Sequence, residues 1–85
     1  MTREEIANQL KTIVKPYVNN QLAFDDLTEA THFIADLQIN SANLVDIILD
    51  TEDYFKIEID NLSMEKMIDV QSTITIIQTK LSEKA

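Results

Sequence analysis

The sequence predicts an all-α domain: a small four-helix bundle with three main helices, one short third helix and a long first loop. Three observations lead there. The chain contains no glycine and a single proline, so it lacks the residues that punctuate turn-rich β folds. Apolar residues return every third or fourth position through most of the length, the spacing of one helix face. The one alternating stretch, Lys56-Ile57-Glu58-Ile59-Asp60, is too short to pair as a strand. Eighty-five residues make a single domain, 1–85, and a chain of this size buries only roughly 60% of its unfolded surface, leaving little room for an enclosed active site.

The first helix is expected to start after Thr2, an N-cap with Glu5 at the third helical position, and to bury Ile6, Leu10, Ile13, Val14 and Tyr17. Pro16 deletes a backbone donor and clashes with the preceding turn, at about 3 kcal/mol in a helix interior, so this helix ends or kinks near Val14-Lys15. Asn19 and Asn20 suit its exit. From Gln21 to Asn40 the chain reads as a long connection. Its apolar residues Leu22, Phe24, Leu27, Phe33, Ile34 and Leu37 are too irregular for one helix and too many to sit free in water. The connection must therefore be pinned to the core.

The second helix runs from about Ala42 to Phe55. Leu44, Ile47, Ile48, Thr51 and Phe55 recur at helical spacing on its inner face, while Asp46, Asp50, Glu52 and Asp53 fall on its flanks and outside. Ser41 stands where the connection becomes helix, as an exposed hydroxyl at a helix start. Residues 56–60 form an extended linker with Ile59 tucked inward. A brief third helix follows, capped by Ser63 or Asn61, with Met64, Met67 and Ile68 inward. Asp69 caps the last helix, in which Val70, Ile74, Ile77 and Leu81 line up beside Thr73 and Ile76. The tail from Ser82 to Ala85 is expected to fray.

Composition narrows the chemistry. With no cysteine and one histidine, the chain builds neither disulfides nor thiolate or multi-histidine metal sites. His32, without a second ligand nearby, is read as a surface residue without a role. Fifteen acids against seven basic residues give a formal charge of −8, which argues against nucleic acid, because phosphate binding draws on Lys and Arg. Basic protein surfaces are the partners that such a charge suits. No apolar run approaches the ~20 residues of a membrane span, and Met1-Thr2-Arg3-Glu4-Glu5 opens into a charged helix with no secretory pattern. A cytoplasmic monomer without membrane insertion is expected. The acids show no metal-loop spacing and no pairing with a nucleophile, so the chain does not read as an enzyme.

The stretch Asp36-Leu37-Gln38-Ile39-Asn40-Ser41-Ala42 resembles the modification site of the acyl carrier protein family, Asp-Leu-Gly-x-Asp-Ser-Leu followed by an acidic helix. The similarity continues through Glu52-Asp53-Tyr54-Phe55-Lys56-Ile57-Glu58-Ile59 and into Asp69-Val70-Gln71, and covers nearly the whole chain. Two departures matter: Asn40 stands for the family's Asp and Ala42 for its Leu. The resemblance implies that Ser41 receives a 4'-phosphopantetheine arm from coenzyme A, whose thiol holds an acyl group as a thioester. A separate phosphopantetheinyl transferase supplies Mg²⁺ and the base, so Ser41 needs no partner of its own. The arm's phosphodiester suits a helix N-terminus.

The same resemblance implies that acyl-loading and chain-processing enzymes present basic patches to Asp36, Asp46, Glu52, Asp53, Glu58 and Glu65, with Asp50 adding another acid. Val45 and Leu49 are apolar contacts beside them. Asn40 and Ala42 weaken two contacts to the transferase, one a charge and one an apolar side chain. A growing acyl chain slips between the second and third helices, where Thr51, Ile59, Met64, Met67, Thr73 and Ile76 match the family's lining. Fatty-acid, polyketide and specialised lipid pathways all use such carriers.

Plainer readings stand beside these. Ser is among the preferred N-caps, and methionines at helical spacing are ordinary core. The alternatives to an acyl carrier are an unmodified acidic helical interaction module and a carrier of aminoacyl or D-alanyl cargo. Peptidyl carriers usually place a Gly-Gly pair before their serine and have a less acidic second helix, and neither feature occurs here.

Overall fold

The computed structural model describes residues 1–84. Five α-helices and one 3₁₀ turn follow in order: α1 Arg3–Val14, the 3₁₀ turn Lys15–Tyr17, α2 Gln21–Asp25, α3 Ser41–Phe55, α4 Asn61–Glu65 and α5 Val70–Lys84. The first, second, third and last helices expected from sequence are α1, α3, α4 and α5; α2 is additional. Among the described residues there is no strand, only an isolated antiparallel bridge between His32 and Asp69. Among the described residues no helix is long and apolar enough to cross a membrane.

Helix α1 begins with the expected capping box. The Glu5 amide donates to Thr2 Oγ1 (3.1 Å) and the Thr2 amide to Glu5 Oε1 (3.0 Å), satisfying two backbone donors at once. Bonding to Thr2 holds the Glu5 carboxyl below its ordinary pKa. Pro16 does end the helix, and the chain tightens into the 3₁₀ turn. Ile6, Leu10 and Val14 are buried, whereas Ile13 and Tyr17 are only half-buried on the flank.

Asn19 and Asn20 are not simply an exit. Asn20 caps α2, its Oδ1 accepting from the Ala23 amide (3.2 Å). The five-residue α2 turns Phe24 partly into the core and leaves Leu22 in solvent. Beyond it the connection is held by Phe33, Leu37 and Ile39, all buried, while Ile34 stays exposed. Three backbone bonds tie this segment to the entry of α5: Phe33 N to Ile68 O (3.1 Å), Val70 N to Thr31 O (3.0 Å) and Gln71 N to Glu29 O (2.8 Å). The last two occupy amides that the first turn of a helix otherwise leaves unpaired. Arg3 adds a side-chain tie, its guanidinium donating to Glu29 and to Thr75 and Gln78 of α5.

Helix α1 packs against α3 and α5, and the core lies among them. Ile47, Ile48, Thr51 and Phe55 come from α3, and Val70, Thr73, Ile74 and Ile77 from α5. Each fully buried aliphatic side chain contributes about 1.5–3 kcal/mol. Thr51 and Thr73 bring hydroxyls into this apolar setting and satisfy them locally, Thr51 Oγ1 donating to Ile47 O (2.7 Å) and Thr73 Oγ1 to Asp69 O (2.9 Å).

The other differences from expectation lie at element ends. Asp60, not Ser63 or Asn61, caps α4 by accepting from the Ser63 amide (2.7 Å). Ile68 points outward at 60% exposure, because α4 ends at Glu65 and the residues after it turn toward α5. Ser82 to Lys84 continue α5; Ala85 lies outside the described residues.

Candidate functional site

Ser41 is the first residue of α3, and the cap before it is Asn40, whose Oδ1 accepts from the Ala42 amide (2.9 Å). Both residues are exposed. Ser41 is thus not the N-cap, and its hydroxyl is left out of the capping of α3. Ala42 is exposed in the same turn, and no acid stands in that turn.

The segment leading to Ser41 is held by the asparagine pair at the end of the 3₁₀ turn. The amides of Asn19 and Asn20 both donate to Leu37 O (3.1 Å each). Asn19 Nδ2 donates to Gln38 O (2.9 Å) and Asn20 Nδ2 to Asp36 O (3.0 Å). Between them Gln38 adopts a left-handed conformation, φ 55°. For a residue with a Cβ this costs about 1–2 kcal/mol. It is the position at which the motif Asp-Leu-Gly-x-Asp-Ser-Leu has glycine, a further departure in the sequence whose consequence the backbone geometry shows.

Ser41 stands at the mouth of a cavity of about 180 Å³ lined by Phe33, Ser41, Leu44, Val45, Ile47, Ile48, Met64 and Met67. Ser41, Leu44, Val45 and Ile48 follow the i, i+3, i+4, i+7 spacing of one helix face, a signal already present in the sequence. Of the six lining residues expected from sequence, Met64 and Met67 reach this cavity. Thr51, Ile59 and Thr73 are buried elsewhere in the core. Ile76 is half-buried and borders a separate groove with Lys66, Asp69, Gln71, Ser72 and Thr75. The cause is depth: Thr51 and Thr73 face the bundle centre. A second groove of about 300 Å³, between residues 32–35 and α4, shares Phe33, Leu44, Met64 and Met67 as walls.

The acids divide by what they already hold. Asp36 Oδ2 accepts from the His32 amide (2.7 Å) and lies 3.6 Å from His32 Nδ1. Asp50 accepts from the Tyr17 hydroxyl (3.0 Å), which raises the Tyr17 pKa. Glu52, half-buried, accepts from the Ile59 amide (2.7 Å) and so fastens the linker to α3. Asp53 lies 3.9 Å from Lys56 Nζ. Among the described residues, Asp46, Glu58 and Glu65 are exposed and have no cation within ion-pair distance. Beside Asp46, Val45 and Leu49 are 52% and 56% exposed.

The acyl carrier protein of Thermotoga maritima is 33% identical over 82 residues, covering 94% of this chain and 96% of its own. That of Lactobacillus acidophilus is 35% identical over 79 residues, covering 93% and 96%. The chain belongs to the acyl carrier protein family. A solved structure of acyl carrier protein from Enterococcus faecalis superposes with a TM-score of 0.75 at 26% identity, over 94% of this chain and 99% of that one. No family model matches the chain. Membership in the family accounts for a small helical bundle with a long first connection.

Proposed function

We propose that this chain is an acyl carrier rather than an enzyme, with Ser41 as the attachment point of a 4'-phosphopantetheine arm. The observation that carries this reading is the division of labour at the start of α3: Asn40 caps the helix, and the Ser41 hydroxyl stays exposed at the mouth of an apolar cavity. These residues fit the group. Ser41 offers an accessible oxygen for a phosphodiester, and the amide end of α3 is favourable to its charge. When bound, the arm supplies a thiol that holds acyl groups as thioesters.

The chain's own residues then position and shield. Apart from Ser41, every side chain lining the cavity is apolar, which favours a hydrocarbon acyl cargo over aminoacyl or D-alanyl cargo, since an ammonium would lose its hydration there without a partner. Met64 and Met67, unbranched and adaptable, adjust to cargo of different length. Asp46, Glu58 and Glu65 present free carboxylates to basic surfaces on the transferase and on acyl-handling enzymes. Exposed pairs are individually worth about 0–1 kcal/mol, so they steer and orient while allowing rapid exchange. Asn40 and Ala42 remove a charge and an apolar contact from the transferase interface, which suits a relaxed or dedicated transferase. The carrier acts as a cytoplasmic monomer.

Intact mass tests the reading. Incubation with coenzyme A, Mg²⁺ and a broad-specificity phosphopantetheinyl transferase is expected to add ~340 Da to the wild type and nothing to Ser41→Ala. A wild type whose mass stays unchanged with several transferases would instead be an unmodified interaction module.

A further inference from the structure

Resting on the reading of Ser41 as the acceptor, we infer that Asn19 and Asn20 are positioning residues for its modification: together they clasp the backbone of residues 36–38 and so set the entry of α3. The clasp takes up three successive carbonyls. Leu37 O receives the two asparagine amides, Gln38 O the Asn19 side chain and Asp36 O the Asn20 side chain. At its centre lies Gln38, left-handed at φ 55°. Without an opposing hold, a residue with a Cβ relaxes from that region toward right-handed or extended backbone.

Relaxation at Gln38 would propagate through two peptide units. Ile39, buried at 1% exposure, anchors one side of the turn, and Asn40 caps α3 on the other. A shift between them displaces the Asn40 oxygen from the Ala42 amide and turns Ser41 away from its place at the helix start. The hydrogen bonds of Asn19 and Asn20 go to residues 36–38 and to α2, not to Ser41; they act through the turn. The transferase would then bind only the fraction of molecules whose turn is aligned, so a weaker clasp raises the apparent KM for the carrier and leaves kcat alone.

Asn19→Asp/Asn20→Asp separates this role from simple folding. Aspartate keeps the side-chain size and, at position 20, the oxygen that caps α2, while the two side-chain donors to Gln38 O and Asp36 O are lost and the two backbone donors to Leu37 O remain. Initial rates of mass gain are measured against carrier concentration, at a temperature where circular dichroism shows every variant folded. The double variant is expected to show a roughly tenfold higher KM with kcat within about twofold of wild type. Adding Gln38→Gly restores the wild-type KM, because glycine takes the left-handed conformation unaided. Asn8→Asp on exposed α1, a change of charge alone, leaves KM unchanged. A wild-type KM in the double variant overturns the inference and leaves Ser41 as the acceptor, and so does a rise that Gln38→Gly fails to relieve. A wild type that gains no mass removes the acceptor reading and the clasp's function with it.

Discussion

Asn40 and Ser41 are neighbours of similar capping propensity, and the backbone assigns the cap to the first. Sequence alone leaves a one-residue offset open there, since either side chain reaches an amide of the first turn. The same ambiguity explains why Asp60 caps α4 where Ser63 or Asn61 was expected. Thr2 was legible because Glu5 completes a reciprocal pair at a fixed spacing. Gln38 itself does not announce a positive φ; the only sequence signal is the glycine at that position in the motif it resembles. Gln38→Gly is expected to stabilise the fold by about 1 kcal/mol, raising the midpoint of thermal unfolding by several degrees. A melting temperature equal to or below wild type in differential scanning calorimetry would show that the turn bears no such strain.

At the scale of elements, α1, α3 and α5 follow from helical periodicity because each lays an apolar stripe on a common core. The five-residue α2 escaped notice because it is held by one cap and one partly buried phenylalanine, too short to show a period. The cavity beside Ser41 was only partly legible, with Met64 and Met67 in place and the rest of its wall supplied by α3 and Phe33. The starts of α4 and α5 depend on carboxylates. Asp60 is held below its ordinary pKa by the Ser63 amide and hydroxyl and by Lys80, and Asp69 by the Ser72 hydroxyl and amide. Because their folded-state values lie below the unfolded ones, the stabilisation is complete above the unfolded carboxyl pKa, about 4, and is lost as pH falls through the folded values. Helicity followed by circular dichroism should therefore decline below about pH 4, earlier in Asp69→Asn than in wild type. Identical acid profiles for the two chains would contradict the assignment.

The whole molecule balances a small core against a large like charge. Ile74 and Ile77 of α5 are fully buried, and Ile74→Ala is expected to cost roughly 2–5 kcal/mol, a large part of the margin of so small a domain. Chemical denaturation reads this directly, and a loss below ~1 kcal/mol would place Ile74 outside the core. With a formal charge of −8 and, among the described residues, only a few ion pairs such as Arg3–Glu29 and Lys80–Asp60, self-repulsion opposes the compact state. Raising NaCl to about 0.5 M shortens the screening length to a few ångströms and should raise the melting temperature. The acidity was plain from composition; which acids are free for partners was not, because Asp36, Asp50 and Glu52 are engaged by groups 4, 33 and 7 residues away.

The central claim concerns where the chain is modified, and fragmentation mass spectrometry of transferase-treated protein tests it most directly. The account predicts a single added phosphopantetheine group located on Ser41, with Ser63, Ser72 and Ser82 unmodified. An added group on any other residue, or a Ser41 fragment of unaltered mass under conditions that modify another acyl carrier protein, would contradict it.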